Sequence, residues 1–466
     1  MSSSTPIRRF RPGGVLQYRD FRLLLADRFL APSAFQISVV GVSFAVLALT
    51  GSTADLSYVL AAQIAPTLVF APIAGVVADR IKPQYIVAAA NLIVALCEGT
   101  LGLLVLTHHA LIWEMMLLEA GTGTALAIFY PASQALLPRL VPDADLQQAN
   151  AVSRLVMNGA MMGGAAIGGI TVAAVGPGWA LFIDACGMLA AVPPNLLIRA
   201  AGNVRGQTPG FFLELREGWE EFSSHTWLWG IVCEYGLVLM AWYGSFSVLG
   251  PAVAKAHLGG PAAWGAILSS ESVGLIAGGL IALRFKPKRP MLFVSATGAA
   301  VAIPSLGLAM LWPLWLICVG TLLAGILLEM MMVQWNLAMA RYIPPDKLAR
   351  VSAYDVLGSV VAMPAGALLA GPIASLAGIS ATQYGAVVLI VGVSLLASLP
   401  RDIRTRRSSD VPAWVLAEQR VEVAADATAD EVAGDAVDVT VVDAAESTAG
   451  AGVTGAAEPV AISSEA

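Results

Sequence analysis

Apolar residues in this chain gather in long unbroken runs, near 21–49, 56–78, 85–106, 111–137, 147–175, 179–199, 226–254, 262–284, 291–312, 313–340, 348–377 and 379–399. Each run matches the roughly 20 residues that a helix needs to cross a bilayer. None has the short alternating pattern of a barrel strand, and backbone groups in hydrocarbon must find partners within their own segment, so each run is expected to be helical. The pattern predicts an all-α polytopic membrane protein of twelve transmembrane helices, arranged as two six-helix bundles and embedded in a lipid bilayer.

Polar residues between the runs give the topology. Arg8, Arg9, Arg11, Arg19 and Arg22 precede the first run, Arg80 and Lys82 follow the second, and Arg139 follows the fourth. Basic residues then recur after the sixth (Arg199, Arg205, Arg216), eighth (Arg284, Lys286, Lys288, Arg289), tenth (Arg341, Lys347, Arg350) and twelfth (Arg401, Arg404, Arg406, Arg407), whereas the alternate connections offer only Lys255. By the positive-inside rule both termini are expected in the cytoplasm, with the chain multi-pass in the cell membrane. Trp113, Trp179, Trp264, Trp312 and Trp315 fall at the outer ends of runs, where indole rings favour the headgroup region.

The longest internal connection, 200–225, alternates Phe211, Phe212, Leu215, Trp219 and Phe222 with Glu214, Arg216, Glu217, Glu220 and Glu221, the pattern of an interfacial amphipathic helix. It divides the chain into an N-terminal segment 1–20, a six-helix bundle 21–199, the connecting loop 200–225, a second bundle 226–400 and a tail 401–466. The halves echo each other. Arg139-Leu140-Val141-Pro142 with Asp145-Leu146 matches Arg341-Tyr342-Ile343-Pro344 with Lys347-Leu348, and the same offset carries Gly164 and Gly169 onto Gly366 and Gly371. Such a duplicated six-span unit is the parallel-repeat signature of a large transporter class whose substrate site lies between the halves.

Composition sharpens this picture. Of 466 residues 57% are hydrophobic and 12% charged, against about 25% charged in soluble proteins. The net charge of −6 belongs to the tail, where 13 acidic residues face 5 basic ones, and the tail has no apolar period, so disorder is expected from about Ser408. Cys97, Cys186, Cys233 and Cys318 each sit within an apolar run without zinc or disulfide spacing, and are expected as buried free thiols.

Ionisable residues at membrane depth cost on the order of 3 kcal/mol each at a helix centre, so they normally face a cavity or a partner. Glu271 and Glu329 lie nearest the midplane, Glu98, Glu119 and Glu234 somewhat off it, and Asp27-Arg28 and Asp184 nearer the ends. Glu329, Glu271, Glu234 and Glu119 are the candidates for binding a proton in alternation with substrate; the competing reading is a structural ion pair, such as a glutamate with Arg154 or Asp355 with Arg341. Trp242, Tyr243, Gln334, Trp335 and Asn336 are amphipathic side chains inside spans and candidates for lining a substrate cavity, although packing between helices explains each singly.

Several motifs together resemble the drug-exporter branch of the major facilitator superfamily, in particular bacterial macrolide- and siderophore-exporter-like members, across nearly all of 15–400. Gly75-Val76-Val77-Ala78-Asp79-Arg80 is similar to the superfamily's loop signature, in which Gly75 permits close packing while Asp79 and Arg80 form a latch between halves. Its continuation, Ile81-Lys82-Pro83-Gln84, departs from the usual basic run. Further matches are Thr50-Gly51-Ser52, Pro131-Ala132-Ser133-Gln134, Ala149-Asn150-Ala151 and Arg350-Val351-Ser352-Ala353-Tyr354-Asp355. Gly159, Gly163, Gly164, Gly168 and Gly169 resemble an antiporter signature, with Ala165 in the place of its proline; glycines at this spacing let helices approach closely in any case.

The resemblance implies the major facilitator fold and secondary active export of lipophilic or amphipathic small molecules, drug- or antibiotic-like, by proton antiport with alternating access. Alternatives are a dedicated siderophore or metabolite exporter, an uptake carrier, or a transport-inactive sensor or scaffold, against which the intramembrane glutamates argue. No phosphate-cradling Gly-rich loop ends in Lys-Ser or Lys-Thr, and His108, His109, His225 and His257 form no metal or hydrolase motif. Neither an enzymatic activity, a cofactor, a metal nor a nucleic-acid partner is expected, and the chain is expected to act as a monomer on a small molecule and protons.

Overall fold

A computed structural model describes residues 14–199, 211–406, 408 and 414–415, with side chains left undescribed at 71–80 and at a few positions near 211–217 and 345–349. The described residues are helical, with twelve helices long and apolar enough to cross a membrane. These spans are Arg19–Leu49, Thr53–Phe70, Pro83–Leu106, Ile112–Leu140, Asp143–Val175, Pro177–Leu197, Thr226–His257, Pro261–Ala282, Pro290–Ala309, Leu314–Tyr342, Arg350–Ala377 and Ile379–Ala397. Each falls within a few residues of the run that predicts it. The loop signature Gly75, Asp79 and Arg80 lies outside the described side chains, as do Phe211, Phe212, Glu214, Leu215 and Glu217 of the connection.

The chain forms one large unit, 1–340 with 345–409, and a second made of Arg341–Pro344 and Asp410–Ala466, within which the Trp414 indole donates to the Arg341 carbonyl at 3.0 Å. Within the large unit the third span packs on the sixth, the second on the fourth, and the first on the fifth and sixth. Among the described residues the halves meet chiefly at two crossings, the fifth span against the eighth and the eleventh against the second.

Glycine decides how close those crossings come. A methyl built on Gly169 comes within 2.8 Å of the Pro261 carbonyl oxygen and 3.0 Å of the Gly265 Cα, so the fifth and eighth spans touch backbone to backbone. On Gly371, one offset of 202 residues later, a methyl overlaps Ser57 Oγ and the Thr53 carbonyl of the second span. Ser57 Oγ accepts the Gly371 amide at 2.7 Å. The second repeated pair does the same within each half: a methyl on Gly164 overlaps the Ser33 carbonyl of the first span, and one on Gly366 overlaps the Met240 carbonyl of the seventh. Gly168 also packs on the first span, at Ile37, whereas Gly159 and Gly163 have open space around them.

Around the crossings lies an apolar seal at the end of the bundle away from the basic connections. Val42, Val46, Leu56 and Leu60 of the first two spans pack with Val248, Leu249 and Ala370 of the second half. Lys255 Nζ caps the Leu47 carbonyl across the same seam at 2.6 Å. The seventh span bends into it through a π-helical turn at Tyr243–Val248, followed by Gly250-Pro251. Any side chain on Gly250 overlaps the Trp264 ring, and Trp264, 1% exposed, packs 5.0 Å from Phe246. Trp264 and Trp312 therefore belong to the seal, while Trp113, Trp179 and Trp315 are exposed as interfacial anchors should be. The four cysteines are unpaired; Cys186 and Cys233 lie on the outside of the bundle and Cys97 and Cys318 are half-buried.

The connecting helix Phe211–Ser224 docks on the start of the eleventh span. Trp219 and Phe222 pack against Tyr354 with tilted rings at 5.6 and 5.8 Å, and Glu221 accepts Lys347 Nζ at 2.8 Å and His225 Nε2 at 3.0 Å. Burial alone raises the Glu221 carboxyl, but the hydrogen bonds from Lys347 and His225, with the Lys347 charge, outweigh it and hold the group below the usual carboxylate range.

Two outcomes follow from this packing. Gly169→Val and Gly371→Val each lower the melting temperature of the purified protein by overpacking worth about 1–3 kcal/mol, while Gly159→Ala and Gly163→Ala do not lower it; thermal unfolding followed by fluorescence checks both. A carboxyl depressed in the docked state stabilises docking above the free-carboxylate value and loses that contribution as pH falls through the depressed one. A nitroxide at exposed Ser223 therefore gains mobility only as pH falls below the free-carboxylate range, and in Lys347→Met its transition moves upward.

Candidate functional site

Within the first half, one cavity of about 330 Å³ lies between the first, third, fourth, fifth and sixth spans. Its polar corner is built by the first span, where Asp27 is fully buried about 12 Å, or eight residues at 1.5 Å each, from the start of the helix. Oδ1 accepts Asn91 Nδ2 of the third span at 2.8 Å and Asn195 Nδ2 of the sixth at 2.7 Å. Oδ2 has no partner. Its neighbour Arg28 is held by the fourth span, donating Nη2 to the Ser133 carbonyl at 3.1 Å, with Met157 Sδ 3.8 Å from Nη1. Pro32 stands one turn on and cannot donate to the Arg28 carbonyl, which loosens the helix beside the charged pair.

The remaining wall is apolar and adaptable: Phe35, Phe129, Tyr130, Met157, Met161 and Met188. Thioether and aromatic surfaces around one carboxylate and one guanidinium suit an amphipathic ligand, and the volume falls near the lower end of ordinary small-molecule sites. Ser133 and Gln134 of the Pro131-Ala132-Ser133-Gln134 motif stand on this wall.

A second cavity of about 350 Å³ lies in the other half, lined by Tyr235, Glu329, Met332, Trp335 and Asp355 among others. Trp335 Nε1 donates to Asp355 Oδ2 at 2.9 Å. Glu329, 14% exposed, is met from the fifth span by Arg154 at 3.2 Å, so an ion pair joins the two halves there.

The candidates named from the sequence thus fall in different places. Glu329 and Trp335 share the second cavity. Gln334 caps the Phe285 carbonyl at 3.2 Å, and Asn336, exposed, bonds back to Met332 of its own helix at 2.8 Å. Trp242 stacks on Phe246 at 5.5 Å, and Tyr243 packs against the seal from the π-helical turn. Glu271 is half-buried, and Glu234 is buried facing Ser295 and Ser394, with neither carboxylate oxygen in hydrogen-bond geometry. Glu119, fully buried, accepts Gln63 Nε2 at 2.6 Å and is accompanied by Glu98 and Asp184, also buried.

The Asp27 corner is the site that reading by depth ranked low. Its signal was present as an Asp-Arg pair one turn before a proline inside an apolar run, with Asn91 and Asn195 inside two others.

Comparison with known proteins agrees with this architecture. Residues 14–433 match the model of the family described as transmembrane secretion effector. The enterobactin exporter EntS of Escherichia coli O1:K1 is 26% identical over 414 residues, 85% of this chain and 95% of that protein. The multidrug efflux pump Tap of Mycolicibacterium fortuitum is 26% identical over 398 residues, 81% and 95% of the two chains. Among solved structures, a bacterial homologue of the human lysosomal transporter Spinster, inward-facing and unoccupied, superposes with a TM-score of 0.63 at 18% identity, covering 86% of this chain and 100% of that one. The nucleoside transporter NupG gives 0.61 at 11% identity, covering 83% and 99%. Similarity at this level speaks for the fold alone, and the family match speaks for the class: the chain is a multi-pass membrane transporter that belongs to the transmembrane secretion effector family of the major facilitator superfamily.

Proposed function

We infer that this chain exports amphipathic or lipophilic small molecules from the cytoplasm by alternating access, driven by proton antiport. The observation that carries this reading is the Asp27 cavity, where one carboxylate oxygen is held by two asparagines and the other is left without a partner among methionines and aromatic rings. A buried acceptor of that kind gains a cationic or donor group of a ligand, or a proton when the ligand is absent. Exchange of the two at one oxygen is antiport in its simplest form.

In this reading the two bundles, 21–199 and 226–400, rock against each other about the glycine crossings, with both termini in the cytoplasm and the basic connections on the cytoplasmic side. The apolar seal closes the outer side, and the Asp27 cavity, about 12–24 Å along the first span from its basic end, takes substrate from the inner one. The acidic tail 401–466 stays in the cytoplasm. A narrower reading, export of one secreted metabolite, is favoured by the similarity to EntS, while the similarity to Tap favours a broad substrate range.

Cells expressing the wild type accumulate ethidium several-fold less than cells without it, and a protonophore or Asp27→Asn removes the difference. Equal accumulation under all conditions contradicts broad efflux. Glu329 is already answered by Arg154, so Glu329→Gln lowers export less than Asp27→Asn does. Loss of export in Glu329→Gln as complete as in Asp27→Asn makes Glu329 the coupling group instead.

A further inference from the structure

Three carboxylates are buried together in the first half, one to two helical turns beyond the lining of the substrate cavity: Glu98 of the third span, Glu119 of the fourth and Asp184 of the sixth, all at most 1% exposed. They interact electrostatically with one another. Among the described residues none of them takes part in an ion pair, and no three such groups converge closely enough to hold a metal ion.

Their hydrogen bonds are unequal. Glu98 receives one hydroxyl on each oxygen, Ser38 Oγ at 2.9 Å and Thr122 Oγ1 at 3.1 Å, so it can carry a charge. Glu119 receives only Gln63 Nε2, on one oxygen; its other oxygen and both oxygens of Asp184 have no partner. An ionised carboxylate in hydrocarbon without donor or cation is far too costly to persist, so protons must occupy the places that donors leave empty. The other titratable groups near the three are Cys97, next to Glu98 on the third span, and Tyr243 of the seventh span, which interacts electrostatically with Glu119. Tyr243 opens the π-helical turn and packs on the apolar seal, as does Leu118 beside Glu119 on the fourth span, so the cluster borders the seal.

Helical register joins the cluster to the substrate cavity. Glu98 and Asn91 are seven residues apart on the third span, Asp184 and Asn195 eleven on the sixth, and Ser38 and Asp27 eleven on the first, each a near-whole number of turns. The three helices thus carry one polar stripe with two levels, about 10 Å apart along the third span.

We propose that Glu98, Glu119 and Asp184 form a proton-binding cluster, distinct from the Asp27 substrate cavity, whose proton load controls the outer seal through Glu119 and Tyr243. With protons bound the cluster is neutral and tolerates the closed seal; on losing them its carboxylates require water and favour an opening to the outer side. The mechanism rests on the proton-antiport reading above, yet proton binding itself is measurable without transport.

The test uses the full chain in lipid vesicles. Infrared titration follows the carbonyl stretch of protonated carboxyl groups, and nitroxides at exposed His109 and His257, on outer connections, report the seal as a distance. In the wild type a protonated-carboxyl band persists near neutral pH and the label distance lengthens as pH rises. Asp184→Asn and Glu119→Gln each remove part of the band and most of the distance change, and Tyr243→Phe keeps the band but weakens the change. These near-isosteric variants replace groups that are neutral when buried, so their melting temperatures stay close to that of the wild type. A wild-type band untouched by either acidic substitution, or a distance change that survives both, overturns the proposal. Failure of ethidium export with the band and the distance change intact overturns the antiport reading and leaves the cluster standing.

Discussion

A carboxylate inside a bilayer has to be answered by a cation, by donors or by a proton, and this molecule uses each solution at a different site. Glu329 has Arg154, supplied from the other half. Asp27 has two asparagine amides on one oxygen and nothing on the other. Asp184 has no donor on either oxygen. The insertion cost of a few kcal/mol per group makes these differences functional distinctions, because only a site left incomplete has room for an exchangeable cation. In the proposed function, the placement of substrate and proton along the fold follows from which carboxylates are left incomplete.

Movement depends on a second constraint, the close approach of backbones at the two crossings between halves. Gly169 and Gly371 occupy equivalent positions in the repeat and bring the fifth span onto the eighth and the eleventh onto the second, the latter with only the small Ser57 hydroxyl between them. Smooth contacts of this type allow one bundle to pivot on the other, while Gly164 and Gly366 tie the same helices to the first span of their own half. The π-helical turn of the seventh span and Lys255 on the Leu47 carbonyl add breakable contacts to the seal. In the function proposed above, rocking about these crossings with the seal as a gate supplies alternating access.

Much of this was legible in the sequence because it depends on local rules. Twelve apolar runs give twelve spans, the repeat finds its glycines at matching contacts, and Arg154 was a foreseeable partner for a glutamate. What escaped was determined by partners from distant spans. Asp27 lies only eight residues into its helix and reads as an end charge until Asn91 and Asn195 are brought to it. Asp184 reads the same way until Glu98 and Glu119 join it. Trp242 and Tyr243 look like cavity lining because they are amphipathic, yet the bend of the seventh span turns them toward the seal. Trp264 looks like an interfacial anchor, and the absence of a side chain at Gly250 is what lets it be buried.

The central claim is that outward movement of an amphipathic molecule through the Asp27 cavity is powered by protons moving the other way. Purified protein reconstituted into vesicles with an acidic lumen tests it directly, with ethidium outside and the inner face of the transporter exposed to it. The account predicts that ethidium is concentrated in the lumen while the pH gradient lasts, that collapse of the gradient by nigericin releases it, and that Asp27→Asn vesicles behave as protein-free ones do. Accumulation that is the same with and without the gradient, or that persists in Asp27→Asn, contradicts it.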